Sequence, residues 1–508
     1  MTQAVDTPHT EGAGGAPVIE TGVLIVGAGF SGIALGAELK RRGVEDFRIV
    51  ERGGGFGGTW YHNTYPGAEC DIQSHLYSFS FHPNPNWTKT YATQPEILDY
   101  LDEVAKDEGL SPHASFDEAV TDARFDEEAA HWDVTTTRAR YRARFVVFAT
   151  GHLSDPKLPD LPGIEDFEGR SFHSATWDHG YDLAGKRVAV VGTGASAIQV
   201  VPAIADDAGS VTVYQRSAPY VVPRRDTVYS EEQKQTFARS PEAMAEFREF
   251  LFWSNEQRFL QRMMVPEFLG ELEETARAHR EAQISDPELL EKVTPTFTAG
   301  CKRTLVSNTW YPALQRDDVE LVDRGVKALT ATGVVDADGV ERAADCVVFC
   351  SGFEAAELPI AQLVHGPAGL LADQWTSGSE AFGGMAVAGY PNLFLLNGPH
   401  VGLGAGSIIF MVETQARYVA EAVEHAADNG ISSLEVRRER QDEFVDHVDE
   451  RARGTVWNTE GCDAWYLDER SGKLTTIWPD QMNRYRALFG TFNPDDYRET
   501  TRPAAARA

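Results

Sequence analysis

Residues 23–32 read Val23-Leu24-Ile25-Val26-Gly27-Ala28-Gly29-Phe30-Ser31-Gly32. Four consecutive apolar residues suit a short strand buried on both faces of a parallel sheet. The glycines that follow are spaced GxGxxG, and the helical pattern Ile33–Arg42 comes directly after them. In that context Gly27 allows the tight turn, Gly29 lets a pyrophosphate approach the backbone, and Gly32 lets helix and strand pack closely. Phe30 and Ser31 stand in the first turn, where free N–H groups and the helix dipole meet the anion. A second strand, Phe47-Arg48-Ile49-Val50, ends at Glu51, 24 residues past Gly27. A carboxylate there accepts ribose hydroxyls and repels a 2′-phosphate, so this site expects FAD or NAD.

The pattern recurs. Val188–Val191 runs into Gly192-Thr193-Gly194-Ala195-Ser196-Ala197, a GxGxxA variant, and the next strand, Val211–Tyr214, leads to Arg216-Ser217. Arg216 again lies 24 residues past the first glycine, and a guanidinium with a hydroxyl grips a 2′-phosphate where Glu51 would reject it. Two sites of unlike preference predict a flavoprotein reduced by NADPH. The fold expected is α/β: two Rossmann-like dinucleotide-binding domains, for FAD and NADP, with a helical insertion. The FAD domain is expected from 1–160 and 370–508, the latter with a substrate-pocket loop, and the NADP domain from 161–229 and 296–369. Between them, 230–295 lacks β signal, and Phe250, Trp253, Leu260 and Met264 fall at helical spacing, predicting an amphipathic helix packed on the core or a lid.

The chain has 508 residues, which at about 150 per domain bounds it to two to four domains. Lys and Arg number 46 against 77 Asp and Glu, a net charge of −31. Such a surface repels phosphate backbones and anionic lipid, so neither nucleic acid nor a membrane is expected as a partner. Residues 1–20 and those after Tyr497 read as tails. With no leader and no long apolar run, the sequence predicts a cytoplasmic protein. Five scattered cysteines without CxxC argue against a disulfide framework, a metal site and dithiol chemistry.

Two denser patterns narrow the chemistry. Residues 167–178 read FEGRSFHSATWD, and residues 57–71 read GGTWYHNTYPGAECD. The first resembles the fingerprint of type I Baeyer–Villiger monooxygenases through Phe167, Gly169, His173, Trp177 and Asp178. The second resembles that family's other motif through Gly57, Gly58, Trp60, Tyr65, Pro66, Gly67 and Asp71. The resemblance spans Gly27 to about Tyr466. It implies an NADPH- and O2-dependent conversion of a ketone to an ester or lactone through a C4a-peroxyflavin. It makes Arg303 and Asp71 catalytic, puts Lys302 with Arg216 on the 2′-phosphate, and sets Gly58, Thr59, Trp60, Tyr65 and Tyr77 near the flavin. His173 reads as a domain-coupling residue. Cys350-Ser351-Gly352-Phe353 departs from the usual Ala-Thr-Gly-Phe, with a local effect expected. Residues 391–404 and 462–466 look closer to acetophenone-type members and are expected at the substrate pocket. An N- or S-oxygenating flavin monooxygenase is the alternative enzyme, and a flavin-binding protein without turnover the alternative from another class. The natural ketone and the choice between monomer and homodimer stay open.

Overall fold

The structure, a computed structural model, describes residues 18–501. The apolar runs become central strands. Val18–Val26 lies parallel between Phe47–Val50 and Arg140–Phe148. Ala114–Ser115 extends this array beyond Phe47–Val50, and Leu393–Leu395 joins it beside Arg140–Phe148. The antiparallel strands Val120–Asp126 and His131–Thr136 complete most of a nine-stranded sheet. A second sheet is wholly parallel, in the order Val319–Val322, Ser210–Tyr214, Arg187–Val191, Cys346–Phe349, Arg170–His173.

Each sheet is covered by helices with its own core. Helix Phe30–Arg41 buries Ile33, Leu35 and Leu39 in one cluster with Val412, Val419 and Val423 of helix Ile408–Asp428. The second core gathers Val188, Val190 and Val213 with Ile198, Val201 and Trp310. Gly27 takes φ +109°, a conformation open to glycine, as the chain turns from strand into helix. Gly32 packs so tightly that a Cβ there would overlap the Gly27 carbonyl oxygen.

Four sequence expectations need correction. Val18–Glu20 belongs to the first strand, paired with Arg140–Arg142, and Tyr497–Thr501 forms a strand against Ile431–Val436, so neither is tail. Residues 1–17 and 502–508, also read as tails, lie outside the described residues. Val364–Gly366 already pairs with Val120–Asp126, so the chain rejoins the first sheet before residue 370. The 230–295 segment is helical, with Glu231–Arg239, Pro241–Glu256, Phe259–Arg262, Pro266–Gln283 and Pro287–Lys292. Its predicted apolar stripe is split: Phe250 and Trp253 are 64% and 50% exposed, whereas Met264 packs on a core cluster, and Met244, Leu251 and Asn255 are the buried residues of the first long helix. The periodicity misled because the helix ends at Glu256, so Leu260 and Met264 do not continue its face. Finally, Cys301 and Cys462, 161 residues apart, form a disulfide with Cα atoms 5.6 Å apart. Cysteine spacing cannot reveal a pairing that tertiary folding creates.

Gly32→Ala should destabilise the protein by about 1–3 kcal/mol, the usual cost of overpacking. A thermal midpoint equal to wild type would show that the turn can yield.

Candidate active site

The first glycine turn opens onto a trough. Gly29 faces Gly58, whose Cα lies 3.4 Å from where a Gly29 Cβ would stand, so side chains on these residues would fill the groove. No side chain caps helix Phe30–Arg41 at Gly29, which leaves its first N–H groups for a ligand. Glu51 is buried and held from both sides, one oxygen accepting from the Ala28 N–H at 2.8 Å and the other from the Gly53 N–H at 2.7 Å. Each oxygen keeps lone-pair capacity for a ribose hydroxyl. Along the trough, Trp60 Nε1 donates to Tyr77 Oη at 3.2 Å, and Tyr77 stacks edge-on against Phe30 at 5.2 Å. Thr59 opens the short helix Thr59–His62 that carries Trp60. These residues fit a flavin dinucleotide: a backbone-lined groove for its phosphates and an aromatic wall beside them.

The second turn is built alike. Space around Gly194 is open, no side chain caps the helix Ala197–Ile204 at Ser196, and Ala195 precedes it. Thr193 Oγ1 donates to the Ser217 carbonyl at 3.2 Å, tying the turn to the end of the next strand. Arg216 is exposed and has no acidic partner among the described residues. Lys302 Nζ donates to Ser217 Oγ at 3.1 Å. Burial, and next the nearby Arg216 charge, lower the Lys302 pKa, while Asp463 opposes them. Two cations and a hydroxyl converge, as a 2′-phosphate requires.

An ion pair sits within electrostatic reach of Tyr77, and its arginine directly follows Lys302. Arg303 Nε donates to Asp71 Oδ2 at 2.6 Å and Nη2 to Oδ1 at 2.7 Å, a bidentate clamp. Burial would raise the Asp71 pKa, but the Arg303 charge and hydrogen bonds outweigh it and hold the carboxyl below its ordinary value. The Asp71 charge in turn raises Arg303 further. Asp71 follows Cys70, whose N–H bonds the Ala92 carbonyl, and Arg303 precedes strand Leu305–Val306, which pairs with Val221–Val222. Arg224, just after that partner strand, is buried and donates to the Cys70 carbonyl at 3.1 Å, and it pairs with Glu69 at 3.0 Å. It thus fixes the segment that carries Asp71. Sequence reasoning missed Arg224; the available signal was an arginine directly after the apolar run Val221-Val222-Pro223.

Asp71 and Arg303 form part of the wall of a cavity of about 530 Å³, closed elsewhere by residues of helices Pro241–Glu256, Phe259–Arg262 and Pro266–Gln283 and by Gly404–Gly406. Tyr466 is buried within electrostatic reach of Arg303, and the Cys301–Cys462 disulfide joins the Lys302-Arg303 turn to the segment preceding Tyr466.

A family model described as pyridine nucleotide-disulphide oxidoreductase matches residues 24–234, which contain both glycine turns. A Baeyer–Villiger monooxygenase of Streptomyces coelicolor is 42% identical over 96% of this chain and 93% of its own length. Another, from Pseudomonas aeruginosa, is 41% identical over 95% and 92%. The crystal structure of cyclohexanone monooxygenase from Rhodococcus sp. Phi1 bound to NADP+ superposes with TM-score 0.84 at 28% identity, covering 96% of this chain and all of that one.

The chain belongs to the Baeyer–Villiger monooxygenase family.

The Baeyer–Villiger fingerprint lies at the seam between the sheets. His173 ends strand Arg170–His173, is buried, and accepts from the Ala175 N–H through Nδ1 at 3.0 Å; its ring meets Phe353 at 5.5 Å. Burial lowers its pKa, with the Gly352 backbone opposing. Phe167 packs onto Gly169, and Trp177 meets Phe172 edge-on at 5.0 Å. Asp178 accepts from Arg170 Nε at 2.8 Å and from the Gly180 N–H at 3.0 Å. None of these residues lines the cavity that Asp71 and Arg303 help to wall. Tyr65, expected near the flavin, turns its hydroxyl toward the second dinucleotide unit while staying within electrostatic reach of Asp71. Its hydroxyl donates to Gln199 Oε1 at 2.9 Å, and Gln199 Nε2 donates to the Glu69 carbonyl at 2.9 Å. The departure at 350–351 is absorbed locally: Cys350 is buried, and Ser351 Oγ donates to the Lys157 carbonyl at 2.6 Å.

Asp71→Asn should destabilise the protein at pH 7 by about 1.5–3 kcal/mol, the range for hydrogen bonds to charged groups. Because the folded pKa of Asp71 is depressed, its contribution is full above the unfolded value and is lost as pH falls through the folded one. The gap between variant and wild type should therefore narrow below about pH 5. Urea melts at several pH values measure this, and a pH-independent gap would contradict it.

Proposed function

We propose that this chain inserts an oxygen atom beside a ketone carbonyl at the Asp71–Arg303 pair, with FAD along the first trough and NADPH across the second. The observation that carries the reading is the bidentate pair itself, on the wall of a cavity large enough for a small ketone. When bound, FAD takes electrons from NADPH and supplies oxygen activated for transfer. Gly27, Gly29 and Gly32, with Phe30 and Ser31, receive its pyrophosphate; Glu51 takes the ribose; Gly58, Thr59, Trp60 and Tyr77 flank it.

Arg303 provides a fixed positive charge. Asp71 occupies its Nε and Nη2 and leaves the Nη1 edge without a protein partner among the described residues. A guanidinium so paired does not give up its proton, so it stabilises developing negative charge without quenching it. Asp71 orients the arginine, and Arg224 positions Asp71. Gly192, Thr193, Gly194, Ala195 and Ser196 hold the pyrophosphate of NADPH, while Arg216, Ser217 and Lys302 hold its 2′-phosphate. Phe167, Gly169, His173, Trp177 and Asp178 couple the two halves.

A ketone panel read by product mass tests the reaction: esters or lactones heavier by one oxygen are expected. Arg303→Ala should still accept electrons from NADPH anaerobically, yet release hydrogen peroxide in air, with ester formation down about 100-fold or more. Arg303→Lys should rescue poorly, because an ammonium lacks the planar fork. A normal ester yield from Arg303→Ala would remove the arginine from the mechanism.

NADPH should be preferred over NADH, and Arg216→Ala should erase roughly 10- to 150-fold of that preference. Because the Lys302 pKa is lowered, its charge and part of the preference should fade as pH rises toward the ordinary lysine range. Lys302→Arg should flatten this dependence. Initial rates with both coenzymes across alkaline pH decide it, and equal use of NADH and NADPH by wild type would overturn the assignment.

A further inference from the structure

The cavity beside Arg303 holds more positive charge than its walls neutralise. Arg225, Arg258, Arg262 and Arg303 all line it, against the carboxylates of Asp71 and Glu271. Asp71 is taken by Arg303, and Glu271 is exposed and in no ion pair among the described residues. The other arginines also lack an acidic partner there. Arg258 donates to Asn255 Oδ1 at 3.3 Å, and Arg262 to Gln261 Oε1 at 3.3 Å and the Gly404 carbonyl at 2.9 Å, all neutral acceptors. In a chain with 77 acidic residues, carboxylates are the abundant neighbours for an arginine, so a group of unpaired guanidiniums in one cavity calls for an explanation.

Arg262 sharpens the point because it is only 5% exposed. Burial pulls its pKa down to about 10, with the charges of Arg303 and Arg258 pressing the same way against Tyr466. A buried, unpaired cation is costly, and an anionic ligand relieves that cost. The coenzyme phosphates do not account for it: neither the 192–197 turn nor Arg216, Ser217 or Lys302 lines this cavity. Ile72, Phe268 and Leu272 give the cavity an apolar side that suits a hydrocarbon chain.

We propose that the substrate is a ketone bearing a carboxylate, which Arg258 and Arg262 hold while the carbonyl lies at Arg303. This rests on the ketone-oxidising reading above and adds the substrate class. One atom of O2 enters the bond between the carbonyl carbon and an adjacent carbon, the other leaves as water, and NADPH supplies the two electrons. The carboxylate is unchanged from substrate to product.

The holoenzyme is assayed with 6-oxoheptanoate, its methyl ester and heptan-2-one, following conversion of the acid to 5-acetoxypentanoate by mass. The acid should exceed the ester in kcat/KM by about ten-fold or more, the loss expected for one charge-assisted contact. Arg262→Gln and the more exposed Arg258→Gln should each lower that acid-to-ester ratio by a similar factor, and Arg258→Gln keeps the test available should the buried substitution impair folding. If the ester and heptan-2-one are oxidised as well as the acid, the substrate class proposed here is wrong while ketone oxidation stands. If no ketone of the broader panel gains oxygen, the underlying reading fails instead. If either variant raises KM for NADPH while the acid-to-ester ratio holds, the arginines serve the coenzyme and the proposal is overturned.

Discussion

The Asp71–Arg303 clamp depends on two segments separated by 232 positions in the chain. One comes from the loop that follows the first trough, the other from the ribbon ahead of strand Leu305–Val306. Neither residue could hold its place alone. An arginine at the wall of a cavity has many rotamers, and an aspartate buried without its cation would be driven toward protonation. The remaining structure serves to bring these segments together at one distance. Arg224 clasps the Asp71 loop, strand pairing fixes the approach of Arg303, and the disulfide anchors the turn from the other side.

The seam shows how that distance is kept. The Tyr65 and Gln199 side chains and the Glu69 carbonyl join the loop before Asp71 to helix Ala197–Ile204. Gly67 lies there too, and a Cβ on it would come within 2.7 Å of the Gln199 carbonyl. His173 itself pairs with Phe349 inside the second sheet and packs on Phe353. A motif can therefore mark a family while its residues line no part of the cavity beside Asp71 and Arg303.

Strand, turn and helix were legible wherever a local rule suffices. The runs before Gly27 and Gly192, the acid at 51 and the base at 216 each follow from geometry within one βαβ unit. Arg303 and Asp71 were found only through resemblance, because no local pattern links positions so far apart. Arg224 and the Cys301–Cys462 pairing stayed hidden for the same reason. The helical insertion was recognised as helix, but which side faces the core was misread: Phe250 and Trp253 are apolar and regularly spaced, yet they point outward. The hydrogen bond of Tyr65 to Gln199 was equally invisible, because its partner lies on another helix.

The same layout bears on how such a chain can be recombined. No short stretch contains the clamp, since Asp71 and Arg303 lie on either side of the second glycine turn, and Tyr466 lies further along still. A crossover placed anywhere from 72 to 302 inherits the aspartate from one parent and the arginine from the other. The pair itself tolerates that exchange, for an aspartate and an arginine remain. The burden falls on Tyr65, Gly67 and Gln199, where two ancestries would have to interlock at van der Waals distance. Breakpoints that keep residues 57–71 together with 192–204 should therefore give working hybrids more often than those that split them.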